Sequence, residues 1–474
     1  MLINKLYSLL LQKLEHEPTE SQKELLTLLS DFLVIHNNNQ LFIIKGYAGT
    51  GKTTSISALI KTMSVFRMKN VLLAPTGRAA KVLSFYTQKP AYTIHKKIYR
   101  QQSSSDGFGE FKLDQNLHTD TYFIIDECSM IGSKSGDSSI FGSGNLLEDL
   151  IEYVYQGRNC KLIFVGDTAQ LPPVGLETSP ALNPDYLSRF GLEVLSCTLT
   201  DVVRQAENSG ILTDSTKIRI HIAQKKEIHS FIMMDLFDDV IRMYGNYLVE
   251  QISDCYDKYG TEETKIICRT NKRANKYNMG IRQQILWREE EITVGDQVMV
   301  VKNNYYWVQD YEELDFIANG DIAVIEQITG YQERYGYRFA DVVLRMLDYD
   351  DVEIETKIMI DTLHLESSAL PVDKNREFYY AVAEDYSDIK NKRKRLKAIR
   401  ENPYFNALQV KFAYAITCHK AQGGQWKAVF IDHGYLTDDM VSREFYRWLY
   451  TAFTRATEIV YLVNFRKEFF SEED

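Results

Sequence analysis

A chain of 474 residues is about three times a typical domain of roughly 150, and 45% apolar residues are enough for several buried cores. Aromatics make up 12% of it against 25 Gly and 9 Pro, which excludes collagen-like and low-complexity classes. The formal charge is −10, from 55 Lys and Arg and 65 Asp and Glu, and would disfavour a polyanionic partner if the charges were evenly spread. They are not. Between Asp31 and Asp106 there is no carboxylate, while Lys45, Lys52, Lys61, Arg67, Lys69, Arg78, Lys81, Lys89, Lys96, Lys97 and Arg100 give a local positive field.

In chain order, MLINKLYSLLLQKLEHEP at the start spaces apolar residues as one helix face does, but Lys5 and Lys13 interrupt it and no small-residue cleavage site follows. It predicts an amphipathic packing helix rather than a signal peptide. No run of 18 apolar residues occurs, so no membrane span is expected. Cys128, Cys160, Cys197, Cys255, Cys268 and Cys418 are widely spaced, with no C-x-x-C, which predicts neither zinc nor a disulfide framework and points to a reducing cytoplasm.

From Leu41, the apolar runs LFIIKG (41–46), NVLLAP (70–75), TYFIID (121–126) and KLIFVGD (161–167) alternate with helical segments. That pattern predicts a parallel sheet covered on both faces, in an α/β domain over 1–200. Within it SDGFGEFKLDQNLHTD reads as a short hairpin, inside 98–120, and 101–107 and 133–145 read as Ser/Gly-rich loops. A second α/β sheet is expected from TKIICRT (264–270), AVFIDH (428–433) and IVYLVNF (459–465), split into 201–294 and 406–474. The separating segment, 295–405, alternates with period two in ITVGDQVMVVKNN, FIANGDIAVIEQI and RFADVVLRML, with an Asn319-Gly320 turn, and predicts a small antiparallel β-barrel. It ends in a charged helical stretch, 384–402, containing Lys390, Lys392, Arg393, Lys394, Arg395 and Lys397. This stretch reads first as a solvated helix face, second as a nucleic-acid contact and third as an import signal.

Three motifs carry chemistry. Gly46-Tyr47-Ala48-Gly49-Thr50-Gly51-Lys52-Thr53 satisfies G-x-x-x-x-G-K-[ST] between a strand and a helix. Backbone N–H groups of such a loop close on phosphate oxygens, Lys52 reaches the β and γ phosphates and Thr53 can ligate Mg²⁺. Thr54 extends the nucleotide contact. Asp126-Glu127 ends a buried run, which places Asp126 as the second Mg²⁺ ligand and Glu127 as the residue that orients or deprotonates the attacking water. Gly166-Asp167-Thr168-Ala169-Gln170-Leu171-Pro172-Pro173-Val174 ends a third run, with Gln170 as the γ-phosphate sensor. These assignments imply ATP and Mg²⁺ as cofactors. No carboxylate cluster of nuclease type is found.

The P-loop, DECSM, GDTAQLPPV, YAITCHKAQGGQW (414–426) and LYTAFTRAT (449–457) occur in one order. Together they resemble superfamily 1 DNA helicases, and specifically the RecD-like, Dda-like 5′→3′ subgroup, over most of 1–210, 264–295 and 406–474. The resemblance implies two RecA-like P-loop domains, with a β-hairpin insertion in the first and an SH3-like barrel insertion in the second. It implies that Gln22 reads adenine, that Arg204 and Arg455 are the γ-phosphate arginines and that Gln422 adjoins the nucleotide.

It further implies DNA contacts from Pro75, Thr76 and Arg78, from His95 and Lys96, and from Thr417, His419 and Lys420. The hairpin becomes a strand-separating pin, with Phe108 or Phe111 capping the last base pair; two aromatics in a hairpin core fit as well. Nothing after about residue 345 in the insertion matches a motif. The reading is an ATP-dependent DNA helicase moving 5′→3′ on single strands and unwinding junctions in replication, recombination or repair. It is expected to be a monomer, cytoplasmic and nucleoid-associated, of bacterial or phage origin, with a single-strand-binding or repair protein as partner. An ATP-switched scaffold without unwinding and an RNA-directed helicase are the alternatives.

Overall fold

The computed structural model describes residues 2–14, 16–35, 37–102, 110–132, 142–202, 209–224, 232–233, 237–309, 311, 314, 316–349 and 351–471. Among the described residues, eight strands precede residue 200: β1 (Gln40–Gly46), β2 (Lys69–Ala74), β3 (Ala91–Thr93), β4 (Tyr99–Gln102), β5 (Glu110–Leu113), β6 (Thr121–Ile125), β7 (Lys161–Gly166) and β8 (Glu193–Leu199). Six of them form one parallel sheet in the order β3-β2-β6-β7-β1-β8. The apolar run of β1 explains the double cover. Leu41 and Ile43 enter one core with Phe123, Leu150 and Phe164, while Phe42 and Ile44 enter the other with Leu25, Leu29 and Leu59. The first helix, Leu2–Lys13, buries Leu6 and Leu10 in that second core.

Later strands are β9 (Ile232–Met233), β10 (Val240–Met243), β11 (Thr264–Cys268), β12 (Gln297–Val300), β13 (Ile322–Arg334), β14 (Tyr337–Met346), β15 (Val352–Met359), β16 (Leu408–Phe412), β17 (Ala415–Thr417), β18 (Trp426–Asp432), β19 (Ala456–Val463) and β20 (Phe470–Ser471). A second parallel sheet runs β10-β19-β18-β11-β17. Strands β12 to β16 close a five-stranded barrel.

Two details of the barrel differ from the sequence expectation. Its closing strand, β16, lies beyond residue 405, and β15 pairs with β16 in parallel rather than antiparallel. A parallel neighbour needs a long crossover, and the excursion 360–407 supplies it. That excursion contains the helices Val372–Glu384 and Lys392–Arg400, which pack Phe378, Val382 and Ile399 against Phe339 and Met359 of the barrel.

All six cysteines are buried and unpaired. Among the described residues, no helix is long and apolar enough to cross a membrane.

Candidate active site and nucleic-acid groove

The carboxyl ends of β1, β6 and β7 meet at one edge of the first sheet, where open α/β sheets bind ligands. After β1 the chain turns through Tyr47–Gly51 into the helix Lys52–Val65. Gly49 and Gly51 hold φ of 73° and 80°, left-handed values that cost other residues strain, so glycine is required to point the loop's amides inward. The Lys52 ammonium donates to the carbonyls of Gly46 at 2.9 Å and Tyr47 at 2.8 Å and lies 3.9 Å from Asp167. Thr53 is half-buried and Thr54 exposed at the start of the helix, the Thr54 hydroxyl donating to Gly51 O at 2.9 Å.

Gln22 is fully buried and its amide is committed at both ends. Its Nε2 donates to Thr50 O at 3.2 Å, and its Oε1 accepts from Thr19 N at 3.1 Å, closing the capping box of the helix Glu20–Val34. In this geometry Gln22 braces the P-loop, with one N–H and one lone pair of its amide left over.

Asp126 follows β6 and accepts from the Glu127 amide at 2.8 Å. Burial first, and the neighbouring Glu127 charge second, push its carboxyl up to about 7. Glu127 itself holds φ of 51°, a backbone conformation that costs a non-glycine residue energy and that recurs at functional sites. Both line a cavity of about 170 Å³ with Thr53, Thr54, Gly423, Gln425 and Arg455. Arg455 reaches it from the second sheet. Its guanidinium is nearly buried, donates to Thr451 O at 3.0 Å, Gly424 O at 3.2 Å and Thr454 Oγ1 at 3.1 Å, and lies 4.0 Å from Glu127 Oε1.

The donor set fits Mg²⁺ and a nucleotide: a hydroxyl and a buried carboxylate are hard oxygen ligands, and the loop amides suit phosphate. No group of three or more His, Cys, Asp or Glu at metal spacing occurs among the described residues, so phosphate oxygens and water would complete such an ion's shell.

Gln170 is not among the residues of that cavity. It is buried, accepts from the Ser129 hydroxyl at 3.5 Å and lines a separate cavity of about 240 Å³ with Lys45, Asp167 and Arg447. The segment that carries it is stitched to the second sheet instead. Gln422 Nε2 donates to Leu171 O at 2.8 Å, Thr451 Oγ1 accepts from Leu171 N at 2.9 Å, and the Tyr450 hydroxyl lies between Asp167 and Ala48. Sequence reasoning missed Tyr450 and Thr451. The available signal was their position one helical turn before Arg455. Arg204 lies outside the described residues.

A groove of about 750 Å³ runs between the helix Gly77–Thr87, the segment 88–96 and the barrel residues Leu314, Phe316, Asp348 and Tyr349. Lys81, Lys89 and Lys96 line it, as do Phe85 and Tyr92, which are exposed. Thr76 caps the helix by accepting from Ala79 N at 3.2 Å, next to the half-buried Pro75. Arg78 clamps the two sheets together, donating to Gln425 O at 2.9 Å and lying 4.3 Å over the Trp426 ring.

Burial pushes the His95 imidazole down to about 4, so it presents a neutral ring, 5.9 Å from that of Phe316. Lys96 lies over Tyr92 at 5.9 Å. Thr417, His419 and Lys420 do not line this groove: at the end of β17 Thr417 is half-buried, His419 exposed, and Lys420 donates to Asn319 of the insertion; burial pushes the Lys420 ammonium down to about 8. Phe111 does not stand at an open hairpin tip. Its ring packs on Tyr305, in the connection between β12 and β13 of the insertion, at 4.4 Å. Phe108 lies outside the described residues.

Residues 33–176 match the AAA domain model, and residues 412–463 match the UvrD-like helicase C-terminal domain. The chain is 25% identical over 444 residues to the ATP-dependent DNA helicase dda of Enterobacteria phage T4, covering 87% of this chain and 92% of that one. It is 24% identical to the RecBCD enzyme subunit RecD of Buchnera aphidicola, over 91% of this chain and 71% of the relative. An uncharacterized protein of Acanthamoeba polyphaga mimivirus is 23% identical, over 89% of this chain and 95% of its own length. The solved Pif1 helicase from Bacteroides in complex with ADP-AlF3 and ssDNA aligns with 97% of this chain and 95% of its own at 15% identity and a TM-score of 0.47.

Proposed function

We propose that this chain hydrolyses ATP to move 5′→3′ along single-stranded DNA and to part duplex DNA. The observation that carries the reading is Arg455 standing 4.0 Å from Glu127 across the cavity that the P-loop helix also lines. One sheet supplies the phosphate cradle and the base, and the other supplies the cation that meets developing charge on the transferring phosphoryl group. On ATP binding, Lys52 would exchange the Gly46 and Tyr47 carbonyls for phosphate oxygens, and Glu127 would take the proton of the attacking water. Thr53 and Asp126 would hold Mg²⁺, which when bound supplies charge neutralisation. Arg78 and Gln422, whose contacts cross between the sheets, would carry closure of the cleft to the groove wall.

Lysines and exposed aromatics in the groove support a sequence-independent hold on a single strand. Direction rests on the order of motifs shared with the RecD-like and Dda-like subgroup, and a monomer acting in replication, recombination or repair, alongside a single-strand-binding protein, is the working form.

The test is strand displacement with ATP and Mg²⁺ on duplexes carrying a 5′ or a 3′ single-stranded tail, with Lys52→Ala as control. Unwinding of the 5′-tailed duplex alone, absent in the variant, is expected. Unwinding only from the 3′ tail would overturn the direction, and DNA-stimulated ATPase without displacement would overturn unwinding in favour of a switched scaffold.

A further inference from the structure

The helix Lys392–Arg400 has no part in the site described above. It is nonetheless a built element. Asn391 Oδ1 caps it, accepting from Arg393 N at 3.0 Å and Lys394 N at 3.1 Å, and Ile399 anchors it in the core shared with Phe378 and the barrel. Between residues 390 and 400 the chain carries seven Lys and Arg and no carboxylate. Lys390, Lys392, Arg393, Lys394 and Lys397 are exposed.

Of the nearby acid, Asp385 is committed elsewhere, accepting from the Tyr335 hydroxyl at 2.6 Å and facing Arg334 at 3.4 Å, while Glu401 pairs with Lys397 of the helix itself at 3.6 Å and offsets that one cation. Glu384 and Asp388 precede the basic run rather than interleave with it. This arrangement opposes helix formation, since the first turn holds cations and no acid at the end where the macrodipole favours anions, and like charges recur three and four residues apart. A local choice that disagrees with its own element marks a functional surface more often than an accident.

Position gives the surface its occupant. Phe111 of the β4–β5 hairpin packs on Tyr305, whose ring is also 5.2 Å from Phe316 in the groove. From there the link is polar and continuous: Asn304 Nδ2 and Trp307 Nε1 donate to Asn406 O at 2.7 Å and 2.8 Å, and Asn406 Nδ2 donates to Arg400 O at the helix end. The basic helix is thus tied to the hairpin end of the groove. Unlike the groove, with its exposed Phe85 and Tyr92, residues 390–400 contain no aromatic on which an unpaired base could stack.

We propose that the helix Lys392–Arg400 binds the phosphate backbone of duplex DNA beside the hairpin, and so holds the paired arm of a junction while the groove holds the single strand. This rests on the DNA-helicase reading above. Contact is sequence-independent and strongly salt-dependent, since each neutralised phosphate adds about 0.9 to the log–log salt slope.

The experiment uses the full chain and the triple variant Lys392→Glu, Arg393→Glu, Lys394→Glu, with the triple Gln variant alongside to separate loss of charge from reversal. Affinity for a blunt duplex and for a single-stranded oligonucleotide of equal length is measured over a salt series, with single-strand-stimulated ATPase and thermal melting as controls. Duplex affinity is expected to fall tenfold or more in the Glu variant and by less in the Gln variant, and the duplex salt slope by about 2 to 3. Single-strand affinity, ATPase and melting should stay within twofold or a few degrees. Unchanged duplex affinity and slope in both variants would overturn the proposal and leave a surface for an acidic protein. Equal losses on both DNAs would overturn it in favour of an extended single-strand track. Failure of the helicase reading would appear instead in the unmodified chain, as absent displacement whatever its duplex affinity.

Discussion

The phenol of Tyr450 donates to Asp167 Oδ2 at 2.6 Å while accepting from the Ala48 amide at 2.8 Å, so one buried hydroxyl of the second sheet's helix Arg443–Phe453 touches two nucleotide motifs of the first. A P-loop amide that would face phosphate is here satisfied by a side chain. Tyr450→Phe keeps the ring and removes both bonds, leaving a buried carboxylate oxygen without its donor. The expected cost is about 1–3 kcal/mol of stability, read by denaturant unfolding, together with a shifted ATP concentration for half-maximal turnover.

Arg455 is expected to act through charge and shape together. Arg455→Ala should lower DNA-stimulated ATPase by roughly 10³ or more, and Arg455→Lys should recover only part of it because an ammonium cannot serve Thr451, Gly424 and Thr454 in the same fork. Steady-state hydrolysis with saturating single-stranded DNA checks both. Full activity of the alanine variant would remove Arg455 from the reaction.

The raised carboxyl of Asp126 sets a pH dependence for the nucleotide-free protein. Its folded pKa, about 7, lies above the ordinary value of 3.8, so the folded state favours the neutral acid. Its stabilising contribution is complete below about 4 and is lost as pH rises through 7. Asp126→Asn should therefore melt higher than the unmodified chain at pH 8, by on the order of 1–2 kcal/mol after allowing for its partial exposure, with the gap closing toward pH 4. Thermal melts across that range read it, and the same variant should lose hydrolysis.

Lys420 gives a second, independent titration. Burial lowers its ammonium from 10.5 to about 8, so the cation is present at neutral pH and lost above it. Single-strand affinity should fall between pH 7 and 9, and Lys420→Arg should flatten that fall, because guanidinium keeps its proton throughout. An identical pH profile in the two proteins would place the titrating group elsewhere.

What could be read from sequence had a local cause. The P-loop demands glycine at its left-handed positions, Asp126 and Glu127 end a buried run at a sheet edge, and the barrel shows as alternation around the turn at Gly320, whose φ is 108°. What could not be read joins residues far apart in the chain. Nothing near Phe111 announces Tyr305, nothing near Leu171 announces Gln422, and the second end of the Gln22 amide is visible only once Thr50 lies beside it. The parallel pairing of β15 with β16 was hidden for the same reason, since it depends on where a crossover of nearly fifty residues returns.

Strand β16 closes the barrel, and only Ala413 and Tyr414 separate it from β17, whose end passes directly into Thr417, His419 and Lys420. Two residues span at most about 7 Å, so this joint has almost no slack. The barrel is therefore a lever joined directly to the segment that carries Thr417, His419 and Lys420 rather than a bead on a tether. On the proposed duplex contact, a torque exerted by the paired arm on the insertion would arrive undamped at Thr417, His419 and Lys420, and a few glycines inserted between Phe412 and Ala415 would let it dissipate.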